Sequence, residues 1–375
     1  MKKENNVKLL GASSFFNDVG SDMIAPLLPF YIASLGGGGI ALGLLSGMRE
    51  GLASLLKIFG GWLSDRTGKR KIFVFLGYFI SIIFRFMFLI ANSWQFLVSF
   101  VAFERFGKAR DAPRDAIIEE STKKVGKAFA FQQMLDTSGA VVGTILVIFL
   151  FWKFNVSIPT IILIASFIAI LSLVPIFFVK EPKFKKTRKS LFKGISSMSS
   201  SLKYFVFVSG VFSLGNFGLY LFLVKRGGEL SGGIIAPLIM YALFSAAYAY
   251  TSIPFGKLSD KIGRKKTLVG GYMLFLAISI GFIFAENVYL FAVLFTLYGL
   301  VYSITQPVSR AMISDFSKEM QGTSMGFYYF VTGIVTIPAG ILAGVLWNIS
   351  PAAMFIYISG VALVSLILLA FVKNR

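Results

Sequence analysis

The stretch GGWLSDRTGKRKIF, Gly60 to Phe73, interrupts a long apolar region with a run of charged residues. A second stretch, FGKLSDKIGRKKTL from Phe255 to Leu268, repeats nearly the same pattern later in the chain. Aligning Gly61 with Gly256 superposes the pattern G-x-L-S-D-[RK]-x-G-[KR]-[RK]-K in both copies. This repeat predicts a duplicated unit in which each copy carries one such loop at the same position.

The rest of the chain is too apolar for a soluble domain. Of its 375 residues 56% are hydrophobic and 14% are charged, whereas soluble domains average about 25% charged residues. A transmembrane helix needs about 20 mostly apolar residues to cross about 30 Å of hydrocarbon. Twelve windows of that length can be drawn, approximately Leu9–Leu35, Ile40–Ser64, Ile72–Ala91, Trp94–Ala116, Ala128–Trp152, Pro159–Val179, Tyr204–Val224, Gly233–Ser259, Thr267–Ala285, Val288–Ser314, Thr323–Trp347 and Ala352–Val372. Their length, without two-residue alternation, predicts an all-α polytopic membrane protein.

The repeat divides these windows into two pseudo-symmetric six-helix bundles. We expect an N-terminal bundle at 1–180, a basic cytoplasmic linker at 181–203 and a C-terminal bundle at 204–375. An even number of helices in each bundle gives both copies the same orientation in the membrane. Each motif then lies between the second and third helices of its own bundle.

The net charge of +20 follows from the sidedness of the loops. Basic residues concentrate at both termini, in the two motifs and in the linker, whereas the opposite loops hold only Lys153, Lys225 and Arg226. Cytoplasmic loops of membrane proteins carry this excess of lysine and arginine. We therefore expect a multi-pass protein of the plasma membrane with both termini in the cytoplasm, in contact with lipids and with no nucleic-acid partner.

Several kinds of chemistry are excluded by composition. The chain has no cysteine and no histidine, which removes disulfides, thiolate chemistry and imidazole metal ligands. No G-x-x-x-x-G-K-[ST] phosphate loop is present. The acidic residues Asp18 and Asp22 interrupt the first apolar segment, so we expect a retained span rather than a signal peptide. We expect no enzyme, no cofactor and no metal, and any proton carrier must be a carboxylate.

The duplicated loop, the twelve spans and the basic linker resemble the major facilitator superfamily over essentially the whole chain. The resemblance implies a secondary transporter in which two six-helix halves rock about a central cavity, with helices 1, 4, 7 and 10 innermost. An acidic first half and an apolar second half are similar to the drug/proton antiporters of that superfamily. In the fifth helix, DTSGAVVGT spaces Gly139 and Gly143 for close helix packing but contains no proline.

The repeated loops are predicted to form a cytoplasmic gate. Gly61 would let helix 2 pack closely, Gly68 would allow positive φ, and Asp65 and Asp260 would form ion pairs in one conformation only. We expect the charges at the inner end of helix 4 to pair with the Asp65 loop. The alternative is a loop that only anchors the inner face, with solvated charges beside it. The predicted gate residues are Gly61, Asp65, Arg66, Gly68, Arg70, Arg110, Asp111, Arg114, Asp115, Gly256, Asp260, Gly263 and Arg264.

Ionisable side chains inside the spans of the first half form the predicted coupling site. Each costs at least about 2.5–3.5 kcal/mol on insertion scales, so they face a cavity or a partner. A regular helix would place Glu104, Lys108, Asp111 and Asp115 in one stripe. Asp22 and then Asp136 are the preferred proton carriers, and a permanent salt-bridge network is the alternative. The predicted carriers are Asp18, Asp22, Glu104 and Asp136, and their charge partners are Arg49, Glu50, Arg85 and Arg105.

Aromatic and small polar residues take the place of charge in the second half. A cavity that binds a small molecule needs an apolar wall with a few hydrogen-bonding groups, although each of these residues is also compatible with packing or lipid contact. The residues predicted to line such a cavity are Phe212, Asn216, Tyr220, Tyr241, Phe244, Tyr248, Tyr298, Tyr302 and Gln306.

Three functions are compatible with these patterns. The leading prediction is a monomeric transporter that exports small amphipathic or drug-like molecules in exchange for protons. Proton-coupled uptake of a small organic anion is the runner-up, favoured by Arg49, Arg85 and Arg105. A channel or a non-transporting membrane sensor is a third possibility of another class, but it leaves the duplicated loop unexplained.

Overall fold

The computed structural model describes residues 5–122, 125–181, 198–317 and 321–372. Within these ranges the secondary structure is helical, without strands. Most of the predicted linker 181–203, together with Lys2, Lys3, Lys373 and Arg375 at the two ends of the chain, lies outside the described residues. The helices are α1 Asn5–Ile24, α2 Leu28–Ser34, α3 Gly39–Thr67, α4 Arg70–Met87, α5 Trp94–Phe106, α6 Asp111–Ser121, α7 Val125–Phe154, α8 Ile158–Ile170, α9 Leu173–Phe178, α10 Ser200–Gly215, α11 Tyr220–Ser231, α12 Ile235–Ile262, α13 Arg264–Ile283, α14 Val288–Phe316, α15 Gln321–Ile349 and α16 Pro351–Ala370.

Ten helical segments of the described chain are long and apolar enough to cross a membrane. The first and fourth predicted windows are absent from these ten, and both carry several charged residues, such as Asp18 and Asp22 in the first and Glu104 and Arg105 in the fourth. The structure also divides each of them. In the first, the 3₁₀ turn Ala25–Leu27 separates α1 from α2, and Pro26 and Pro29 supply no backbone N–H there. In the fourth, the 3₁₀ turn Gly107–Arg110 separates α5 from α6. The all-α membrane architecture is confirmed, and the count of twelve spans stays a prediction.

Two compact units are present, and helix α3 contributes to both. The first unit comprises Met1–Gly36 and Leu52–Lys189, and the second comprises Gly37–Gly51 and Ser190–Arg375. The beginning of α3 therefore packs with the C-terminal half of the sequence. In the second unit the backbone N–H of Gly39 donates to Asn348 Oδ1 at 2.8 Å, and a Cβ built on Gly43 would strike the carbonyl of Gly340.

In the first unit the long helix α7 packs along α1. A Cβ at Gly139 would strike the backbone of Phe15, and one at Gly143 would strike the backbone of Val19. Small residues at such positions let two backbones approach closely, which is how membrane helices associate without a hydrophobic driving force between them. The predicted role of these two glycines in helix packing is therefore confirmed.

In the second unit the predicted seventh span is broken in its middle. Helix α10 ends at Gly215 and α11 begins at Tyr220, and Gly218 has φ +90°. The Ser46 hydroxyl donates to the carbonyl of Gly218 at 2.6 Å and lies 3.3 Å from that of Phe217. A side chain from α3 thus satisfies carbonyl groups that the break releases from the helix. The break also positions Asn216 and Tyr220 at two helix ends.

Candidate coupling site and substrate site

The motif loop of the first unit forms an ion-pair chain. The Asp65 carboxylate lies 3.1 Å from Arg70 Nη2, and the Arg70 guanidinium contacts Glu120 at 2.7 Å. Gly68 has φ +70°, as its position in the turn predicts. A Cβ at Gly61 would lie 3.1 Å from the Ala112 side chain. The structure therefore pairs Asp65 with an arginine of its own motif.

The motif loop of the second unit forms a similar ion-pair chain from its own residues. The Asp260 carboxylate pairs with Arg264, and Arg264 Nε lies 3.4 Å from Asp315 Oδ2. Gly263 has φ +99°, whereas a Cβ at Gly256 would meet nothing within 4 Å. The close packing of the motif glycine is thus not repeated in this unit.

One acidic residue of each ion-pair chain was not among the gate residues predicted from the sequence. In the alignment that superposes Gly61 with Gly256, Glu120 falls on Asp315. Each of them contacts the arginine that also holds the motif aspartate. Extending the repeat beyond the motif to the end of the fourth helix in each bundle would have found both.

The contacts described for Arg110, Asp111, Arg114 and Asp115, at the inner end of the fourth helix, involve residues outside the Asp65 loop. Glu120, at the end of the same helix, contacts Arg70 of that loop. Pairing of the four charges with the loop stays a prediction. Arg110 Nη1 donates to Ser81 Oγ at 3.1 Å, and its guanidinium lies 4.1 Å from the centre of the Tyr78 ring. Asp111 lies 3.5 Å from Lys57 Nζ. The 3₁₀ turn Gly107–Arg110 interrupts the regular helix that the predicted stripe assumed.

Glu104 lies between two arginines in the interior of the first unit. Its carboxylate accepts from Arg85 Nη2 at 3.3 Å and from Arg105 Nε at 2.5 Å. Arg85 also donates to the carbonyl and the side-chain oxygen of Asn17, at 3.2 and 3.0 Å. The three charged side chains are 2–6% exposed. Two predicted charge partners therefore share one predicted proton carrier.

Asp136 has a longer contact with its arginine than Glu104 has with either of its two. Its Oδ2 lies 3.8 Å from Arg114 Nη1, and its Oδ1 accepts from Gln132 at 2.7 Å. Arg114 is shared, since it contacts Asp115 at 2.9 Å and donates to Ser14 Oγ at 2.9 Å. The Asp136 side chain is 21% exposed. A carboxylate in this position can lose its charge while the arginine keeps another partner.

Asp18 lies on α1 beside this group. Asn17 Nδ2 donates to Asp18 Oδ1 at 2.9 Å, and Asp18 interacts electrostatically with Asp136. A Cβ at Gly139, one turn after Asp136 on α7, would lie 3.3 Å from the Asp18 Cβ. Asp22 is half-buried one turn after Asp18 on α1. The structure thus brings Asp18 and Asp136 into one group of carboxylates, which Asn17 connects to Arg85 and so to the pairing around Glu104.

Arg49 and Glu50 lie in the second unit, whereas the other residues of the predicted coupling site lie in the first. Arg49 Nε donates to the Tyr220 hydroxyl at 3.0 Å, and that hydroxyl donates to Glu50 Oε1 at 3.2 Å. Gly218, with φ +90°, lies against Glu50, since a Cβ there would be 3.1 Å from its Cγ. These two charges therefore lie at the break between α10 and α11.

Phe244 is the centre of an aromatic cluster that brings most of the predicted cavity residues together. The Phe244 ring lies 5.6 Å from the ring of Tyr298, 5.4 Å from Tyr302 and 6.3 Å from Tyr220. We define the aromatic cluster as Tyr220, Tyr241, Phe244, Tyr248, Tyr298 and Tyr302. Asn216 joins it by accepting a hydrogen bond from the Tyr298 hydroxyl. The arrangement offers ring faces with a few hydroxyl and amide groups.

Gln306 lies half-buried on α14, one turn after Tyr302. Its backbone carbonyl accepts a hydrogen bond from Arg310 Nε at 3.2 Å. Phe244, which connects the tyrosines, was among the residues that the sequence indicated for the cavity, although an apolar ring is equally compatible there with packing or lipid contact. Its buried position between α12 and α14 is visible only in the fold.

Comparison with known proteins agrees with this architecture. The family model described as Major Facilitator Superfamily matches residues 10–238 and 206–375. The chain is 42% identical to the uncharacterized MFS-type transporter MJ1317 of Methanocaldococcus jannaschii, over 98% of this chain and 94% of the relative. It is 26% identical to the multidrug resistance protein MdtG of Dickeya zeae, over 85% of this chain and 82% of that protein.

Solved structures show the same fold. The crystal structure of the nucleoside transporter NupG superposes with a TM-score of 0.81 at 12% identity, covering 99% of this chain and all of NupG. The human organic anion transporter MFSD10 superposes with a TM-score of 0.67 at 16% identity, covering 98% of this chain and 99% of that chain. With the family match over both halves and the duplicated loops, these comparisons show that the chain belongs to the major facilitator superfamily.

Proposed function

We propose that this transporter exports small amphipathic or drug-like molecules in exchange for protons, by alternating access. It acts as a monomer in the plasma membrane, with both termini in the cytoplasm and its 181–203 linker on that side. Proton movement uses the acidic group of the first unit, and the substrate binds the aromatic cluster of the second. The gate residues of both motif loops form and break ion pairs between conformations.

Glu104 and Asp136 differ in how closely cations contact their carboxylates, and this difference carries the coupling proposal. Glu104 has two arginine partners and is 2% exposed, so neutralising it would leave buried positive charge unbalanced. Asp136 shares one arginine at 3.8 Å, and that arginine keeps Asp115 at 2.9 Å. Asp18 adds a second carboxylate that interacts electrostatically with Asp136, and a neighbouring like charge disfavours the charged form of a carboxylate. We therefore prefer Asp136 with Asp18 over Asp22 and Glu104 as the carrier.

Export of amphipathic molecules is supported by the aromatic cluster and by one group of relatives. Tyrosine rings present large apolar faces with a hydroxyl at the edge, which suits molecules with an apolar body and few polar groups. Relatives named multidrug resistance proteins match most of the chain at 22–26% identity. Uptake of a small organic anion is less favoured, because Arg85 and Arg105 both contact Glu104 and Arg49 donates to Tyr220.

The test is sided flux in proteoliposomes with and without an imposed pH gradient. Asp136→Asn should abolish gradient-driven transport while leaving gradient-free exchange of substrate measurable. Glu119→Gln is the matched control, since Glu119 is an exposed carboxylate of the same unit and should transport normally. A full gradient response in Asp136→Asn, in Asp18→Asn and in the double variant would overturn this coupling site. Flux without saturation or exchange would favour the channel instead.

A further inference from the structure

Arg310 is a charged residue inside α14 that the coupling site does not use. It lies six positions before Phe316, the last residue of the helix, which corresponds to about 9 Å along the axis. An arginine within a membrane span costs at least about 2.5–3.5 kcal/mol and is normally retained for a partner or a pathway. Its side chain is exposed at the protein surface, so a ligand can reach it.

The partners of Arg310 in the described part of the second unit are tyrosines and a carbonyl group. Its Nε donates to the Gln306 carbonyl at 3.2 Å, and its side chain hydrogen-bonds Tyr329. Tyr248 and Tyr328 also interact with it electrostatically. The ion pairs found in that part of the chain involve Lys225, Arg226 and Arg264 as cations, and none involves Arg310.

Arg310 continues a stripe of polar side chains that begins in the aromatic cluster. Tyr298, Tyr302, Gln306 and Arg310 follow one another at four-residue intervals on α14. Neighbouring members of this stripe are adjacent on the helix surface, and the stripe turns by about 120° round the helix from Tyr298 to Arg310. Tyr248 of α12 connects the two regions, because its ring lies 5.8 Å from that of Tyr302 and it also interacts with Arg310. Tyr302 and Arg310 are separated by about 12 Å along the helix axis, the length of a drug-sized molecule.

We propose that Arg310, with Tyr248, Tyr328 and Tyr329, binds an anionic group of the transported molecule, while the aromatic cluster binds its apolar body. The inference rests on the proposed function and narrows its substrates to amphipathic anions such as aromatic carboxylates. Guanidinium groups bind carboxylate and phosphate through two parallel hydrogen bonds, and tyrosine hydroxyls add donors beside them. A ligand anion would supply the negative charge that no ion pair among the described residues places against Arg310.

The same chemistry is carried by lipid phosphate, which a long arginine side chain near a helix end can reach. The tyrosines favour the substrate, since they come from α12 and α15 and converge on Arg310 from two helices. A headgroup at the membrane interface needs no such set of tyrosines from two helices. The experiment therefore measures the lipid and the small molecule separately.

Binding of 2-naphthoate and of 2-naphthamide to the purified full chain in neutral detergent tests the proposal by equilibrium dialysis. The two probes share a ring and differ in the charged group. In Arg310→Gln, naphthoate should bind at least ten-fold more weakly and naphthamide should bind unchanged, and Arg310→Lys should restore part of the difference. Arg226→Gln is the matched control, since Arg226 pairs with Glu229 at 3.3 Å away from the stripe, and should bind both probes normally.

Three results would overturn the proposal. The first is naphthoate affinity that is undetectable in the unmodified protein or unchanged in Arg310→Gln. The second is equal weakening of both probes, which would mark Arg310 as a packing residue. The third is evidence for a lipid site. In that case phosphatidylglycerol would raise the thermal stability more than phosphatidylcholine does, and Arg310→Gln would lose this difference while naphthoate binding stays intact. These measurements use no pH gradient, so they can fail while Asp136-dependent flux persists, and the reverse result would reject the proposed coupling alone.

Discussion

Neutralising Glu104 and neutralising Asp136 should have opposite consequences for stability and transport. Glu104→Gln keeps the shape of the side chain but leaves Arg85 and Arg105, at 2% and 6% exposure, without their shared carboxylate. Removing one partner of a buried ion pair costs about 3–5 kcal/mol, because the remaining charge is left uncompensated. We expect a loss of that size in the free energy of unfolding.

Asp136→Asn should cost little by the same reasoning. Its contact with Arg114 is 3.8 Å long and its side chain is 21% exposed, and pairs of this kind contribute about 0–1 kcal/mol. Arg114 also keeps Asp115 at 2.9 Å. The variant should therefore remain folded while losing its response to a pH gradient.

The assay measures unfolding in mixed micelles by titration with a denaturing detergent, beside gradient-driven flux of the same preparation in proteoliposomes. The expected ranking is a large destabilisation for Glu104→Gln and a small one for Asp136→Asn. Equal destabilisation by the two changes would refute the structural argument. A stable Glu104→Gln protein that has lost only its gradient response would move the proton carrier to Glu104.

Three further changes test other parts of the structure. Asp65→Asn should slow transport with little loss of folded protein, because its arginine partner keeps a second carboxylate at 2.7 Å; normal turnover would reject the gate. Tyr220→Phe should lower the free energy of unfolding by about 1.5–3 kcal/mol, since its hydroxyl joins two charged groups, whereas Tyr289→Phe, 79% exposed, should be neutral in the same titration. Gly340→Ala should destabilise by about 1–3 kcal/mol because its Cβ would strike a neighbouring backbone, and Gly360→Ala, with nothing within 4 Å, should not; equal effects would show that this close helix contact does not form.

The helical membrane architecture could be predicted from the sequence because that architecture depends on local properties of the chain. Long apolar windows, the absence of strand periodicity and the duplicated Gly-x-Leu-Ser-Asp loops are all readable along the chain. The positive φ at Gly68 was predicted for the same reason, since a turn with glycine has few alternatives. The tyrosines of the second half could also be grouped, because only a few polar residues occur within those spans.

The pairing of charges was decided by the tertiary structure. Glu104 and Asp111 were expected on one stripe, but a 3₁₀ turn between them changes the helical register, and each meets different cations. A register shift of a few residues reverses which face of a helix a side chain occupies, so pairs between helices cannot be derived from spacing along one of them. Composition and repetition along this sequence determine a duplicated helical membrane protein. Helix breaks and close glycine contacts decide which cations each of these acids contacts.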